Sequence, residues 1–252
     1  MSNVRTVGVD LAAEPRSTAV CTLVWTDGAV VVESARLGAD DHAVRTTCAG
    51  ADRFAIDCPF GWPEAFVAAL TAHQASEQWP GRVASSGAEF RRTLRYRATD
   101  EHVREHTRRV PLSVSTDRIG VTAMRCATLL DALAPPVDRA GTGRVLETYP
   151  AAALTVWKLW RTGYKGSNDV LSAMVDDLVH ALPGLRFAGG LEALHRRDHN
   201  AFDALVCALV AGAAQCDRTI LPDAQQQQQR QAAVEGWIHL PAGESLPWCV
   251  GL

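Results

Sequence analysis

Apolar positions come in short runs over the first sixty residues and at helical spacing later on. Residues 4–10 read as a buried strand, 17–25 as a second and 29–35 as a third. Between the last two lies Thr26-Asp27-Gly28, and Asp-Gly between apolar runs is a strong hairpin signal. The chain therefore opens as an antiparallel meander. Asp40 or Asp41 suits the cap of a short helix through Cys48. A strand at 52–57 is cut off by Pro59 and Gly61, and Pro63 fits the first turn of a helix over 64–72. Residues 73–118 keep no steady period. A helix over about 119–134 stops at Pro135-Pro136, a strand follows at 143–148, then helices near 151–161 and 169–182 and a last long one at 198–214. Gln225 to Gln229 reads as a solvated loop, whereas 234–240 has the composition of an ordered segment packed back on the body. With no internal repeat and no boundary, this predicts one mixed-sheet α/β domain over 1–252. It carries an irregular basic insertion at about 73–118 and a tail at about 217–252.

Composition narrows the function more than the fold. With 252 residues the chain can bury a sizeable core, and a net charge of −3 gives no bulk affinity for polyanions, so any such affinity must come from local patches or metal. The cations are nearly all Arg, with Lys only at Lys158 and Lys165. Arg is the better phosphate fork, though a codon-composition bias gives the same skew. Seven cysteines, an odd number without a C-x-x-C pair, argue against a disulfide scaffold and against a zinc site. The first residues lack a signal-peptide pattern and no uncharged apolar run spans a bilayer, so a cytoplasmic, membrane-free protein is expected.

Four acidic residues stand in contexts unlike a casual surface charge. Asp10, Asp57 and Glu147 end or interrupt strand-like runs, and Asp203 lies on a helix that is apolar all round. Alternation sends Ala55 and Asp57 to one face of their strand and Phe54 and Ile56 to the other. On the last helix, His199, Val206, Cys207, Val210 and Ala214 share the side of Asp203, which should press onto the sheet. Buried carboxylates need a cation or hydrogen-bond donors, and several meeting at one point make an oxygen-rich pocket for Mg²⁺ or Mn²⁺. Each acid also has a plainer reading. Asp10 can cap the turn that follows it, Glu147 can pair with Arg144, and His199 can be a hydrogen-bonded core residue instead of a proton shuttle.

Gly8-Val9-Asp10, Ile56-Asp57-Cys58-Pro59-Phe60-Gly61, Arg97-Ala98-Thr99-Asp100, Glu147-Thr148-Tyr149-Pro150, His199-Asn200-Ala201-Phe202-Asp203-Ala204 and Glu235-Gly236-Trp237-Ile238 occur in that order. Together they resemble domain-of-unknown-function family 429, whose members are predicted to be RNase H-like nucleases. The last helix also resembles the closing helix of RuvC-type resolvases. The resemblance implies a five-stranded mixed sheet with helices on both faces and a two-metal-ion site for phosphodiester hydrolysis. Within it, Asp10 would bridge two ions, Asp57 and Asp203 would each complete one site, and Glu147 would be a ligand or position water. Asp198 and His199 are neighbours that could substitute for, or assist, Asp203. Nucleic acid is the implied partner, DNA or RNA undetermined, and since RuvC-type enzymes act as dimers a homodimer is left open.

Residues 91–109 carry seven Arg. They are either a phosphate-steering strip, with Arg97, Asp100 and Arg104 nearest the substrate, or a solvated face with internal ion pairs. Trp157 and Trp160 could stack on bases, but their spacing also suits packing. Two other functions compete with a nuclease. One is a non-catalytic binding or regulatory module on the same fold. The other is an actin-like ATPase or kinase, which is disfavoured because Leu11-Ala12-Ala13-Glu14-Pro15 after Asp10 has no glycine for a phosphate loop.

Overall fold

The structure is a computed structural model and describes residues 3–81, 87–133, 137–223, 226–244 and 246. Strand β1 (Val4–Asp10) pairs antiparallel with β2 (Ala19–Thr26), which pairs antiparallel with β3 (Ala29–Leu37). Asp27-Gly28 makes the expected hairpin, with Gly28 at φ +77°. Helix α1 (Asp41–Ala49) follows, its cap Asp40 accepting the Ala43 N–H. Strand β4 (Arg53–Asp57) then lies parallel to β1, and α2 (Glu64–Gln74) comes after Pro63. The segment expected to be irregular contains two helices, α3 (Gly87–Arg95) and α4 (Ala98–Thr107). Next come α5 (Ile119–Leu133), β5 (Val145–Glu147) parallel to β4, α6 (Pro150–Val156) and α7 (Asn168–Ala181). Helix α6 is shorter than its pattern implies because Lys158 takes a left-handed backbone at φ +61°.

Strand β6 (Leu185–Phe187) pairs parallel with β3, and α8 (Leu191–His195) leads to the long α9 (His199–Gln215). A small antiparallel pair, β7 (Thr219–Ile220) with β8 (Leu240–Pro241), brackets α10 (Gln226–Glu235). The described part of the glutamine run is thus helix, not loop: Gln is a good helix former, and α10 docks on α2 and α4 with Ala232 buried. Pro135-Pro136, Gln225 and Cys249 lie outside the described residues.

The main sheet has the order β5-β4-β1-β2-β3-β6. A meander followed by parallel strands added beside β1 is RNase H-like topology, and β6 extends it by one strand beyond the five expected. Side chains alternate between two cores. Cys21, Leu23, Trp25, Ala55 and Leu146 face α6, α7 and α9, whereas Val7, Val9, Phe54, Ile56 and Val145 face α1 and α5. The tail packs back as its composition suggested: Ile238 bridges Glu147 beyond the edge of β5, and Trp237 is fully buried. Among the described residues no helix is long and apolar enough to cross a membrane. Cys21, Cys48, Cys58, Cys126, Cys207 and Cys216 are free thiols.

Candidate functional site

Strand register brings the first two acids together. In the parallel pairing of β1 with β4, Asp10 stands opposite Asp57, each the last residue of its strand. Helix α9 crosses the same face. Gly8 makes that crossing close: a Cβ there would lie 2.0 Å from the Ala204 carbonyl oxygen and 2.2 Å from Ala208 N. Thr6 Oγ1, one more step along the same face, donates to the Ala208 carbonyl at 3.0 Å. With α9 seated so, Asp203 lies over the ends of β1 and β4 and is wholly buried.

Neighbouring charges reveal how near the three carboxylates are. Burial, then Asp203, then Asp57 hold the Asp10 carboxyl well above its ordinary range. Burial and Asp203, with Glu147 adding and Lys165 opposing, push Asp57 up to about 7. Neither Asp10 nor Asp57 receives a carboxylate hydrogen bond among the described residues, and both line a cleft of about 340 Å³. The other walls of that cleft include Pro111, Leu112, Tyr149, Trp160 and Lys165. Trp160 carries the Arg109 guanidinium on its face, 3.5 Å from the ring centroid. A larger cavity, about 720 Å³, lies among α2, α3, α4 and α10 and is lined by none of the aspartates. Its Arg92 and Glu101 are paired to each other, and Glu64 to Arg230.

Asp203 is held differently. The Tyr164 hydroxyl lies 2.7 Å from Oδ1 and 3.1 Å from Oδ2, and Lys165 Nζ sits 2.8 Å from Oδ2. Burial and the Asp203 charge keep the Tyr164 hydroxyl protonated, hence a donor. Burial opposes the Lys165 charge, but Asp203 together with Asp57 and Asp10 more than offsets it and raises the ammonium's pKa.

Glu147 lines the same cleft and adds to the rise of Asp57, but from the other side of the sheet. Leu146 belongs to the core on the α9 side and Val145 to the opposite one, so alternation puts Glu147 on the face away from α9. There it accepts Arg97 at 2.7 and 3.0 Å and the Phe60 N–H at 2.9 Å. Its partner is thus Arg97, not Arg144. Arg97 also bonds both oxygens of Asp100 and the Glu235 carbonyl, which occupies every guanidinium N–H. Burial disfavours that cation, yet Asp100 and Glu147 more than offset it. Asp100 in turn caps α4 by accepting the Arg97 N–H. Arg104 is paired with Glu101 at 2.8 Å. Arg97 has no N–H left for a phosphate, whereas Arg104 is partly exposed and bonds Glu101 through Nε.

His199 opens α9 half-buried, one turn before Asp203, and does not line the cleft. Asp198 caps α9 through the Asn200 and Ala201 N–H groups, so it holds the helix end and does not stand in for Asp203. Trp157 is buried, as packing requires, while Trp160 reaches the cleft. Tyr164 and Lys165 are the residues that sequence reasoning missed. Their one faint signal was that Lys165 is one of two lysines in the chain.

Among the described residues, no group of three or more His, Cys, Asp or Glu side chains stands ready to hold a metal ion. The donors nevertheless fit a hard cation in kind: Asp10 and Asp57 open to the cleft, Asp203 is buried beside them with Lys165 on it, and Glu147 also lines the cleft but is taken by Arg97. The class defined is an α/β protein of RNase H-like topology with a carboxylate-floored cleft at its strand ends. Residues 8–227 match the family described as "Protein of unknown function (DUF429)", and the chain belongs to that family. Nothing among curated proteins or solved structures matches it.

Proposed function

We propose that this protein is a metal-dependent nuclease that hydrolyses phosphodiester bonds in the cleft above Asp10 and Asp57. The observation that carries this reading is the pairing of those two carboxylates in register at neighbouring strand ends, without hydrogen-bond donors among the described residues and with Asp203 buried beside them. Asp10, Asp57 and Asp203 would hold Mg²⁺ or Mn²⁺. A bound ion of this kind supplies Lewis-acid stabilisation of the phosphoryl oxygens and a water acidic enough to attack at neutral pH. The protein's own groups do the rest. Tyr164 fixes the orientation of Asp203, and Asp10 and Asp57 act in their ionised forms. Tyr149 and Trp160 offer aromatic faces against which a base can stack, and Leu112 and Pro111 keep that wall apolar. Glu147 serves as the anchor of Arg97 in this reading, not as a ligand.

The test is cleavage of labelled single strands, duplexes, an RNA–DNA hybrid and a four-way junction with Mg²⁺ or Mn²⁺, run beside Asp10→Asn. Metal-dependent cutting that vanishes in the variant is expected and would name the substrate class. The engagement of Asp203 by Tyr164 and Lys165 favours one other reading, a nucleic-acid-binding module without catalysis. Tight binding with no cutting under either metal would select it.

A further inference from the structure

Among the described residues, the buried carboxylates of Asp100 and Glu147 share Arg97 and that of Asp203 meets Lys165, and the two arrangements differ in kind. Arg97 and Glu147 are both 2% exposed, and the guanidinium has no N–H left over. Such a pair is locked, since moving either group strands a charge in the interior. Asp203 is equally buried at 0%, but its cation, Lys165, has a side chain 55% exposed. Lys165 comes from the one-turn 3-10 helix Tyr164–Gly166, entered through Gly163 at φ +86°, and lines the cleft that Asp10 and Asp57 floor. Asp203 is its ion-pair partner among the described residues. It therefore reaches in from solvent, held at its tip.

Once ionised, three carboxylates against one ammonium leave a net negative floor, and a divalent ion is the larger charge. The carboxylate that a metal would share with Lys165 is that of Asp203, whose Oδ2 the ammonium already holds. We infer that Lys165 is an exchangeable internal counter-ion: it holds the place of the metal's charge at Asp203 and must swing out toward the cleft before a metal binds. This rests on the metal-site reading above and adds to it a residue that sets metal affinity. Once displaced, the ammonium stays tethered at the cleft, where a substrate phosphate would meet it. Tyr164 stays behind on Asp203, so the carboxylate keeps its orientation through the exchange.

The chain has only two lysines, which makes the exchange observable in the intact protein. Reductive ¹³C-methylation keeps their charge and gives each an NMR signal; Lys158, paired with Glu244 at the surface, is the internal reference. Saturating Mg²⁺ is expected to shift the Lys165 signal and leave that of Lys158 in place. At pH 8.5, above the value of about 7 to which Asp57 is pushed, Lys165→Gln is expected to tighten Mn²⁺ binding by roughly tenfold, within the usual range for coupled sites. Lys165→Arg, which keeps a cation, should stay within about threefold of the wild type on the same scale. An unmoved Lys165 signal together with unchanged Mn²⁺ affinity in Lys165→Gln would overturn the exchange, even if the wild type cut nucleic acid. Tighter Mn²⁺ binding in Lys165→Gln with no cutting by any form would uphold the exchange and remove the nuclease reading alone.

Discussion

Asp57 is the residue whose titration should be visible from outside. Its carboxyl is pushed up to about 7 by burial and by Asp203, against roughly 3.9 in an unfolded chain. The folded state thus holds this proton more tightly than the unfolded state does. Stability from this group is fullest below about pH 4 and is lost as pH rises through about 7. Asp57→Asn carries no charge at any pH and escapes that loss. Its melting temperature in EDTA should exceed the wild type's at pH 8 by on the order of 5 °C, with the gap closing toward pH 4. A gap that does not change with pH would show that Asp57 is not titrating there. The same proton competes with metal, so wild-type Mn²⁺ affinity should climb between about pH 6 and 8.

At the scale of elements, the site exists because α9 can lie directly on β1. Gly8 permits this, since the atoms a Cβ would strike are backbone atoms of α9, which cannot yield without lifting the helix. Gly8→Ala should cost roughly 3 kcal/mol in denaturant unfolding, at the upper end for overpacking. It should also weaken Mn²⁺ binding by displacing Asp203 from Asp10. Gly143→Ala is the control: a Cβ there meets nothing within 4 Å, and stability should hold or rise slightly. Equal losses in the two variants would mean that α9 is not seated through Gly8. The second close approach, Gly212 against the Trp25 ring, secures the far end of the same helix.

In the molecule as a whole, Arg97 is the tie between parts far apart in sequence. It joins the start of α4 to β5 through Glu147 and to the end of α10 through the Glu235 carbonyl. Gly236, at φ +93°, leaves no room for a Cβ beside Glu147 Oε2, so the tail fits only with glycine at this point. Truncating one partner of a buried pair is worse than lacking the pair altogether. Arg97→Met should cost about 3–5 kcal/mol and expose the 223–244 segment to limited proteolysis. Glu147→Gln should also destabilise, yet keep Mn²⁺ affinity within about threefold of wild type, because its carboxylate points away from the α9 face. A large loss of metal binding in Glu147→Gln would return that residue to the ligand set.

Much of this was legible in the sequence because it follows from local rules. Val4–Asp10, the Asp27-Gly28 hairpin, the Asp40 cap and the facing of Asp57 with Ala55 each follow from a period or a turn chemistry confined to a few residues. The acids were conspicuous for the same reason, as charges inside apolar runs. Period-2 alternation could also have set Glu147 apart from Leu146, but only the sheet showed which face α9 covers. Helices α4 and α10 lack a strong apolar stripe and dock on each other across a long stretch of sequence, while α3 is short, largely polar and packs on α2. The sequence by itself determined the strand meander, the order of the strands β1 to β5 and which carboxylates to suspect. Only the tertiary structure decided which cation each one meets, Arg97 for Glu147 and Lys165 for Asp203, because ion pairs across 50 and 38 residues of separation leave no periodic trace in the chain.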